Sequence, residues 1–203
     1  MTSTLNPVQD TRNPGLYERR IKRLFDVVFA VPVAILLAPL AAIVAIFIKS
    51  EDNGPILFKQ ERVGRNGDLF ILRKFRSMPV DTENVESGKA HALKVTRVGR
   101  ILRRTSLDEI PQLASVLIGD MSVVGPRPPI PEQVDLVELR RANGSIELKP
   151  GLTGLAQVNS YDGMTPESKA EWDRTYLKSI SPLSDAKIIV LTVGYLLKKP
   201  PQY

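Results

Sequence analysis

The feature that most constrains this chain is an unbroken run of 22 uncharged, almost wholly apolar residues at positions 27–48. The run is long enough, by count, to cross the hydrocarbon core of a membrane, which is about 30 Å thick. It is too long, and begins too far from the N-terminus, to be a cleaved signal peptide. A buried core helix is the alternative, but apolar runs of this length are rare in soluble domains. The sequence therefore predicts a membrane-embedded helix.

The residues around this run argue against a simple transmembrane span. Basic residues flank both ends, namely Arg19, Arg20, Lys22 and Arg23 before it and Lys49, Lys59, Arg62 and Arg65 after it. The positive-inside rule then places both flanks in the cytoplasm. Pro39, near the middle, removes the helical bond to the carbonyl of Ile35 and leaves two arms too short to span. We predict a kinked, re-entrant helix anchored by Lys22 and Arg23, with Asp26 paired to one of them.

Composition limits the chemistry that the chain can perform. Its 203 residues suffice for one ordinary domain and an appendage. With no cysteine and one histidine, thiol nucleophiles and clustered Cys or His metal sites are excluded, so carboxylates and hydroxyls must carry any chemistry. A metal, if used, should be a hard ion such as magnesium. The net charge of +6 indicates an anionic partner, and the few aromatic residues favour phospholipid or phosphorylated substrates over nucleic acid.

Two adjacent carboxylates, Asp108 and Glu109, lie between Arg103-Arg104 and Arg127. A carboxylate can be a nucleophile towards phosphorus, and arginines can hold phosphate oxygens in a bidentate fork. The stretch 106–109 also fits a capping box, in which a serine and a glutamate cap a helix start and Asp108 is only a first-turn acid. The two interpretations are compatible, because a helix start is also a favourable place for phosphate.

The rest of the chain predicts a hairpin and several helices. Strand-like segments at 55–62 and 69–78 flank Asn66-Gly67, a strong hairpin signal. Lys74 and Arg76 share one face of the second strand, which is either a phosphate-binding face or a solvated one. Helices are expected at 95–104, 132–141, 166–178 and 184–199, with Gly119 ending the helix that follows Ser106.

Three further segments are predicted to be irregular. The proline-rich stretch 124–129 should hold Arg127 on a stiff turn that faces the helix start. Residues 149–158, which include Gln157, read as a turn-rich loop whose glycines serve either close approach to a ligand or a tight turn. Residues 79–94, with the lone His91, are expected to form a surface loop, and residues 1–15 a poorly ordered tail.

With these residues laid out, the chain resembles the bacterial sugar transferase family, the small monotopic phosphoglycosyl transferases. The most specific blocks are residues 22–26, 74–78, 106–109, 119–128 and 149–158. The resemblance implies an α/β monotopic membrane protein with an N-terminal kinked re-entrant helix, a β-hairpin and a mostly helical cytoplasmic catalytic domain with amphipathic interface helices. It divides the chain into a tail (1–15), a basic segment with the re-entrant helix (16–50) and a catalytic domain (51–203).

The resemblance also implies a reaction. A sugar 1-phosphate would pass from a UDP-sugar to undecaprenyl phosphate with release of UMP, as the first membrane step of bacterial glycan assembly. The reaction would take place at the cytoplasmic face of the inner membrane, with Mg2+ as cofactor. By position, Asp108 matches the nucleophile, which forms a covalent phosphosugar intermediate and also serves as a metal ligand, and Glu109 matches its partner. Arg104 and Arg127 match phosphate-contacting arginines, and the matching blocks add Lys74, Arg76 and Gln157 as expected substrate contacts.

The chain departs from the family pattern at two places. Ala38-Pro39 stands where many members have Ser-Pro, and residues 160–163 read Ser-Tyr-Asp-Gly where many continue Gly-Arg-Asn. The sequence names neither the sugar nor the oligomeric state. The alternative function is a non-catalytic, membrane-anchored adaptor that binds anionic lipid or phosphorylated partners through its basic face. Asp108 and Glu109 would weaken anion binding by such an adaptor.

Overall fold

The computed structural model describes residues 14–80, 82, 95–159 and 164–197, without the side chains of residues 196 and 197. The helices are α1 (Lys22–Asp52), α2 (Arg97–Thr105), α3 (Gln112–Ile118), α4 (Val134–Ala142), α5 (Leu155–Asn159), α6 (Pro166–Ser179) and α7 (Pro182–Leu197). The strands are β1 (Leu57–Val63), β2 (Leu69–Phe75), β3 (Ser122–Val124) and β4 (Gly151–Thr153). The predicted N-terminal tail up to residue 13, the loop around His91 and the segment 160–163 lie outside the described residues.

A π-helical segment, Tyr17–Ile21, leads into α1, and together they form one helix that is long and apolar enough to cross a membrane. The helix continues through Pro32 and Pro39, so the kink at Pro39 stays a prediction. One face packs into the protein core through residues such as Ala30, Val44 and Ile48. The opposite face is apolar and exposed along its length, at Leu24, Val28, Ile35, Leu36, Ile43, Ile46 and Phe47.

Polar contacts hold both ends of α1 on the rest of the protein. Near its start, the buried carboxylate of Asp26 accepts hydrogen bonds from the Ser122 hydroxyl (2.8 Å) and the Val123 amide (2.9 Å) of β3. At its end, Asp52 forms a two-pronged ion pair with Arg76. The preceding residue, Glu51, accepts a hydrogen bond from the first amide of α2, that of Arg97, at 2.7 Å.

The predicted pairing of Asp26 with Lys22 or Arg23 is wrong. The Lys22 ammonium instead lies 2.7 Å from Asp185 of α7, and the Arg23 guanidinium donates to the carbonyls of Val116 and Leu117 at the end of α3. Asp26 faces the opposite way, into the core, where an amide and a hydroxyl satisfy its charge. The two basic residues therefore anchor α1 to α3 and α7.

The predicted hairpin is confirmed. β1 and β2 pair antiparallel in a register that runs from Leu57 opposite Phe75 to Val63 opposite Leu69. The connecting turn has positive φ angles at Asn66 (58°) and Gly67 (92°), which are the conformations that Asn-Gly sequences adopt readily. The hairpin packs across α1 and α3, with Leu72 and Phe75 in the core.

The prediction of an irregular loop at 149–158 is wrong in part, because this segment contains β4 and α5. β4 pairs parallel with β3, with Ser122 opposite Gly151 and Val124 opposite Thr153. A Cβ atom on Gly151 or Gly154 would lie 2.1 Å from backbone atoms of Gly125. These glycines therefore allow two backbone segments to pack against each other, which is neither of the two roles expected from the sequence.

The helices predicted around this centre are confirmed with shifts of a few residues. Thr165 caps α6 as its sequence indicates, accepting a hydrogen bond from the Ser168 amide at 3.3 Å. Gly119 ends α3 with a φ of 100°. The main core cluster joins α1, β2, α3, β3, α6 and α7, and its largest fully buried side chain is Tyr176.

Close packing at Gly99 of α2 gives a test of this arrangement. A Cβ atom there would lie 2.0 Å from the Ser77 carbonyl oxygen, a backbone atom that cannot move away easily. Gly99→Ala should therefore lower the free energy of unfolding by about 1–3 kcal/mol. Denaturant unfolding in detergent micelles measures the change.

Gly194→Ala in α7 is the matched control, because no described atom lies within 4 Å of its added Cβ. Helix propensity alone should make this variant as stable as the wild type, or up to about 1 kcal/mol more stable. Equal stability of the two variants would contradict the packing of α2 against residue 77.

Candidate active site

The adjacent carboxylates, two cations and the proline-rich segment meet at one place. Asp108 and Glu109 lie in the short 3-10 turn Leu107–Glu109, between α2 and α3. The ammonium of Lys74, on β2, lies 2.8 Å from Glu109 Oε1. The guanidinium of Arg127, just after β3, lies 3.5 Å from the same oxygen. Three elements that are distant in sequence thus converge on the pair of carboxylates.

The backbone around the pair excludes the capping box. Ser106 has a left-handed conformation (φ 54°) and ends α2, whereas a helix N-cap requires an extended backbone. The next helix begins only at Gln112, after Pro111. Asp108 and Glu109 are therefore on a turn, and Glu109 binds cations from other elements instead of capping its own helix. The capping interpretation is wrong.

The environment shifts the pKa values of the two carboxyl groups in opposite directions. Burial raises the pKa of Asp108, and the charge of Glu109 adds to this effect, although Lys74, Arg103 and Arg127 oppose it. Burial would also raise the pKa of Glu109, but the charges and hydrogen bonds of Lys74 and Arg127 lower it to about 2. Glu109 is therefore firmly ionised at neutral pH, whereas Asp108 holds its proton more tightly than an ordinary aspartate.

The carboxylate of Asp108 is available for chemistry. Among the described residues, none donates a hydrogen bond to it, while Glu109 is occupied by two cations. Arg103 contributes a nearby positive charge and donates from Nε to the Ser77 hydroxyl at 3.0 Å. Arg104, one of the two arginines expected from the sequence to contact phosphate, is exposed.

A small cleft opens beside the pair. Its lining consists of Arg62, Leu72, Lys74, Gln112, Arg127, Pro128 and Gly151. Arg62 was not singled out as a site residue from the sequence, where it counts only among the basic flanks of the apolar run. Burial, reinforced by the charge of Arg127, lowers the pKa of Arg62 to about 10. The pairing of β1 with β2 brings Arg62 to the cleft, and no local sequence pattern distinguishes this arginine from the others.

Two other residues expected at the site have different partners. Arg76 binds Asp52 and donates to the Pro55 carbonyl at 2.7 Å, so its charge is used where α1 ends. Gln157, on α5, donates to the Leu152 carbonyl at 3.3 Å. The oxygen of its amide is buried and has no hydrogen-bond partner among the described residues.

The donor set at the pair suits an anionic, phosphorylated ligand. Lys74, Arg62 and Arg127 bring three positive charges to the cleft, and Glu109 pairs directly with Lys74 and Arg127. In the described ranges, no cluster of three or more His, Cys, Asp or Glu side chains is placed to hold a metal ion. A carboxylate that accepts no hydrogen bond from the described residues, beside cations able to bind phosphate oxygens, is an arrangement that can transfer a phosphoryl group.

Comparison with known proteins yields one family. Residues 17–199 match the family model described as "Bacterial sugar transferase". A UDP-glucose:undecaprenyl-phosphate glucose-1-phosphate transferase of Caulobacter vibrioides is 41% identical over 191 residues, covering 90% of this chain and 72% of that protein.

Two longer relatives are similar over only part of their length. The enzyme with the same description from Klebsiella pneumoniae is 40% identical over 191 residues, covering 87% of this chain and 40% of its own. The UDP-galactose-lipid carrier transferase of Erwinia amylovora is 38% identical over 206 residues, covering 91% of this chain and 42% of its own. This chain thus spans about two fifths of the length of these two relatives.

The lowered pKa of Glu109 predicts a particular acid dependence of stability. Because its pKa in the folded protein is about 2, against an ordinary value of 4.5, the stabilisation is present above about pH 4.5 and is lost as the pH falls towards 2. Glu109→Gln should therefore be less stable than the wild type near neutral pH and should lose less stability between about pH 5 and pH 3. Denaturant midpoints across this range measure the effect.

Glu171→Gln is the matched control. Glu171 forms an exposed ion pair with Arg174 on α6, at 3.7 Å, and exposed pairs of this kind contribute little. Its stability curve should run parallel to that of the wild type. If the Glu109→Gln curve is parallel as well, Lys74 and Arg127 do not hold Glu109 as described.

Proposed function

Because the chain belongs to the bacterial sugar transferase family, we propose that it transfers a sugar 1-phosphate from a UDP-sugar to undecaprenyl phosphate and releases UMP. The match over residues 17–199 and the printed activities of relatives about 40% identical support this reaction. The observation that carries the proposal is the free carboxylate of Asp108 beside Glu109, Lys74 and Arg127. An adaptor that binds anions would have no use for such a carboxylate.

In the first step of the proposed reaction, Asp108 is the nucleophile. A carboxylate oxygen of Asp108 attacks the phosphorus that carries the sugar and forms a bond to it. The bond between this phosphorus and the bridging oxygen of the diphosphate breaks. UMP leaves with that electron pair. In the second step, a phosphate oxygen of undecaprenyl phosphate attacks the same phosphorus, and the Asp108 carboxylate departs unchanged. Two in-line displacements transfer the intact sugar 1-phosphate.

Glu109, Lys74 and Arg127 prepare the site for a diphosphate. The low pKa of Glu109 keeps it ionised, so it orients the two cations and does not deliver a proton. Lys74 is mostly buried, whereas the Arg127 side chain is 42% exposed and open to a ligand. Arginine can donate hydrogen bonds to two phosphate oxygens at once, which would stabilise the charge that develops on the departing UMP.

We propose Mg2+ as the cofactor. The residues fit this ion in kind, because Asp108 offers hard oxygen ligands that no described residue occupies. Protein sites often bind magnesium through one or two carboxylates, with substrate phosphates and water completing the shell. Asp108 would hold the ion together with the diphosphate, and the bound ion would neutralise phosphate charge.

We further propose that the protein is monotopic, with α1 re-entrant in the cytoplasmic leaflet of the bacterial inner membrane. The contacts of α1 with the rest of the protein extend from Asp26 to Asp52, about 40 Å along the helix. A span would need about 20 consecutive residues free of the cytoplasmic body, yet Ala30, Val44 and Ile48 are buried against it. The exposed apolar face of α1 and that of α7, at Leu183, Val190 and Val193, would lie in lipid.

The covalent step predicts a burst of product. With a UDP-sugar and magnesium but no undecaprenyl phosphate, UMP should be released up to about one equivalent of enzyme, and the protein should gain the mass of one phosphosugar. Asp108→Asn should abolish both signals, because an amide of similar size is a poor nucleophile. Rapid quench and intact-protein mass spectrometry measure them.

Glu171→Gln, on the exposed face of α6, should retain the full burst and serves as the control for handling in detergent. Accumulation of the adduct in Asp108→Asn would remove Asp108 from the role of nucleophile. Release of UMP only when undecaprenyl phosphate is present would favour direct attack within a ternary complex.

The monotopic arrangement predicts that both ends of α1 are on the cytoplasmic side. Since the chain has no cysteine, Gly15→Cys and Lys178→Cys can be labelled without background. Both should be protected from a membrane-impermeant thiol reagent in intact cells and react once the inner membrane is permeabilised. Leu36→Cys, on the exposed apolar face of α1, should react only after detergent is added. Labelling of Gly15→Cys in intact cells, with Lys178→Cys protected, would establish a full span.

A further inference from the structure

The segment that carries Arg127 is held almost entirely through its carbonyl groups. It contains Pro126, Pro128 and Pro129, which have no N–H groups and cannot join a regular ladder. Four consecutive carbonyls nevertheless accept hydrogen bonds: Pro126 from the Gly151 amide (2.9 Å), Arg127 from the Arg140 guanidinium (2.9 Å), Pro128 from the Arg62 guanidinium (3.0 Å) and Pro129 from the Val63 amide (2.9 Å). We name residues 126–129 the carbonyl-held segment.

Arg140, on α4, makes the contact closest to Arg127. Its Nε and second terminal nitrogen lie 2.8 Å and 2.7 Å from Asp173 Oδ2 on α6, and its remaining nitrogen donates to the Arg127 carbonyl. Both side chains of this ion pair are almost completely buried, at 4% exposure for Arg140 and 1% for Asp173. Burial raises the pKa of Asp173, and the charge of Arg140 opposes that shift.

The geometry of this pair does more than join two helices. An ion pair between α4 and α6 needs only the side of the guanidinium that faces Asp173. The third hydrogen bond leaves the helices and reaches the backbone of the residue whose side chain faces Glu109. The planar guanidinium links these two contacts rigidly, so the position of the Arg127 backbone follows that of Asp173.

We propose that Arg140 is a positioning residue for Arg127, with Asp173 fixing the orientation of its guanidinium. The inference rests on the proposed function, because the Arg127 side chain is taken to bind the diphosphate of the donor. Arg140 itself touches no substrate in this view. It acts through the carbonyl of Arg127 and so determines where the Arg127 guanidinium meets the phosphate oxygens.

Arg140→Lys tests the proposal, because lysine keeps the charge and the ion pair with Asp173 but cannot reach both partners. The kcat for UMP release from the UDP-sugar, with undecaprenyl phosphate and magnesium, should fall roughly tenfold to a hundredfold, as expected for a small displacement of a catalytic cation. Arg141→Lys is the matched control. It is the next residue on α4 and pairs with Glu138 on the same helix at 3.5 Å. Its turnover should equal that of the wild type.

A double-mutant cycle separates positioning from a general effect on the fold. If Arg140 acts through Arg127, Arg140→Lys should reduce turnover much less in an Arg127→Ala background than in the wild type. Asp173→Asn should show the same dependence on Arg127. Equal reductions by Arg140→Lys in the two backgrounds, or full activity of Arg140→Lys, would overturn the proposal.

Hydrogen exchange gives a readout that does not depend on activity. The amides of Gly151 and Val63, which donate to the carbonyls of Pro126 and Pro129, should exchange faster in Arg140→Lys than in the wild type, with no change in Arg141→Lys, because the carbonyl-held segment loses one of its four contacts. Unchanged exchange in Arg140→Lys would overturn the positioning role whatever the activity. If the wild type releases no UMP from any UDP-sugar, the proposed reaction fails, and hydrogen exchange still decides whether Arg140 fixes the segment.

Discussion

The hydrogen bonds from Ser122 and Val123 to the carboxylate of Asp26 join α1 to β3. Asp26 belongs to the long apolar helix, and β3 is the strand that leads into the carbonyl-held segment and Arg127. A buried carboxylate deprived of these donors would cost several kcal/mol, so the helix cannot slide or rotate freely against β3. One contact thereby couples the position of the apolar helix to that of the strand that leads to Arg127.

The parts of the fold that were predictable from sequence are those that depend on neighbouring residues. Asn66-Gly67 specifies the hairpin turn, Thr165-Pro166 the start of α6 and Gly119 the end of α3, because each depends on the φ or hydrogen-bonding capacity of the residue itself. The convergence of Asp108, Glu109 and Arg127 was also predicted. Their spacing, together with the likeness to the family blocks, identified these three residues before any tertiary contact was known.

The remaining features depend on partners far away in the chain. The partner of Asp26 is 96 residues away, and the antiparallel pairing of β1 with β2 brings Arg62 into the cleft. The stretch 106–109 has the residues of a capping box, yet the left-handed backbone of Ser106 directs Glu109 to Lys74 instead. Gly151 and Gly154 look like loop residues until Gly125 is found against them. In each case a contact with a charged or backbone group of another element determines the structure, and the local sequence pattern alone does not predict it.

The composition of the carbonyl-held segment also affects the conformational entropy that this segment loses on folding. Since all four of these backbone contacts are made through carbonyl oxygens, proline can occupy three of the four positions without the loss of a donor. Each proline restricts the unfolded chain, so less conformational entropy is lost when the segment takes its folded shape. The backbone of Arg127 is therefore already ordered before the diphosphate of the proposed donor would bind. In the proposed reaction, binding would then have only the side chain of Arg127 to immobilise, which would leave more of the interaction energy for the transition state.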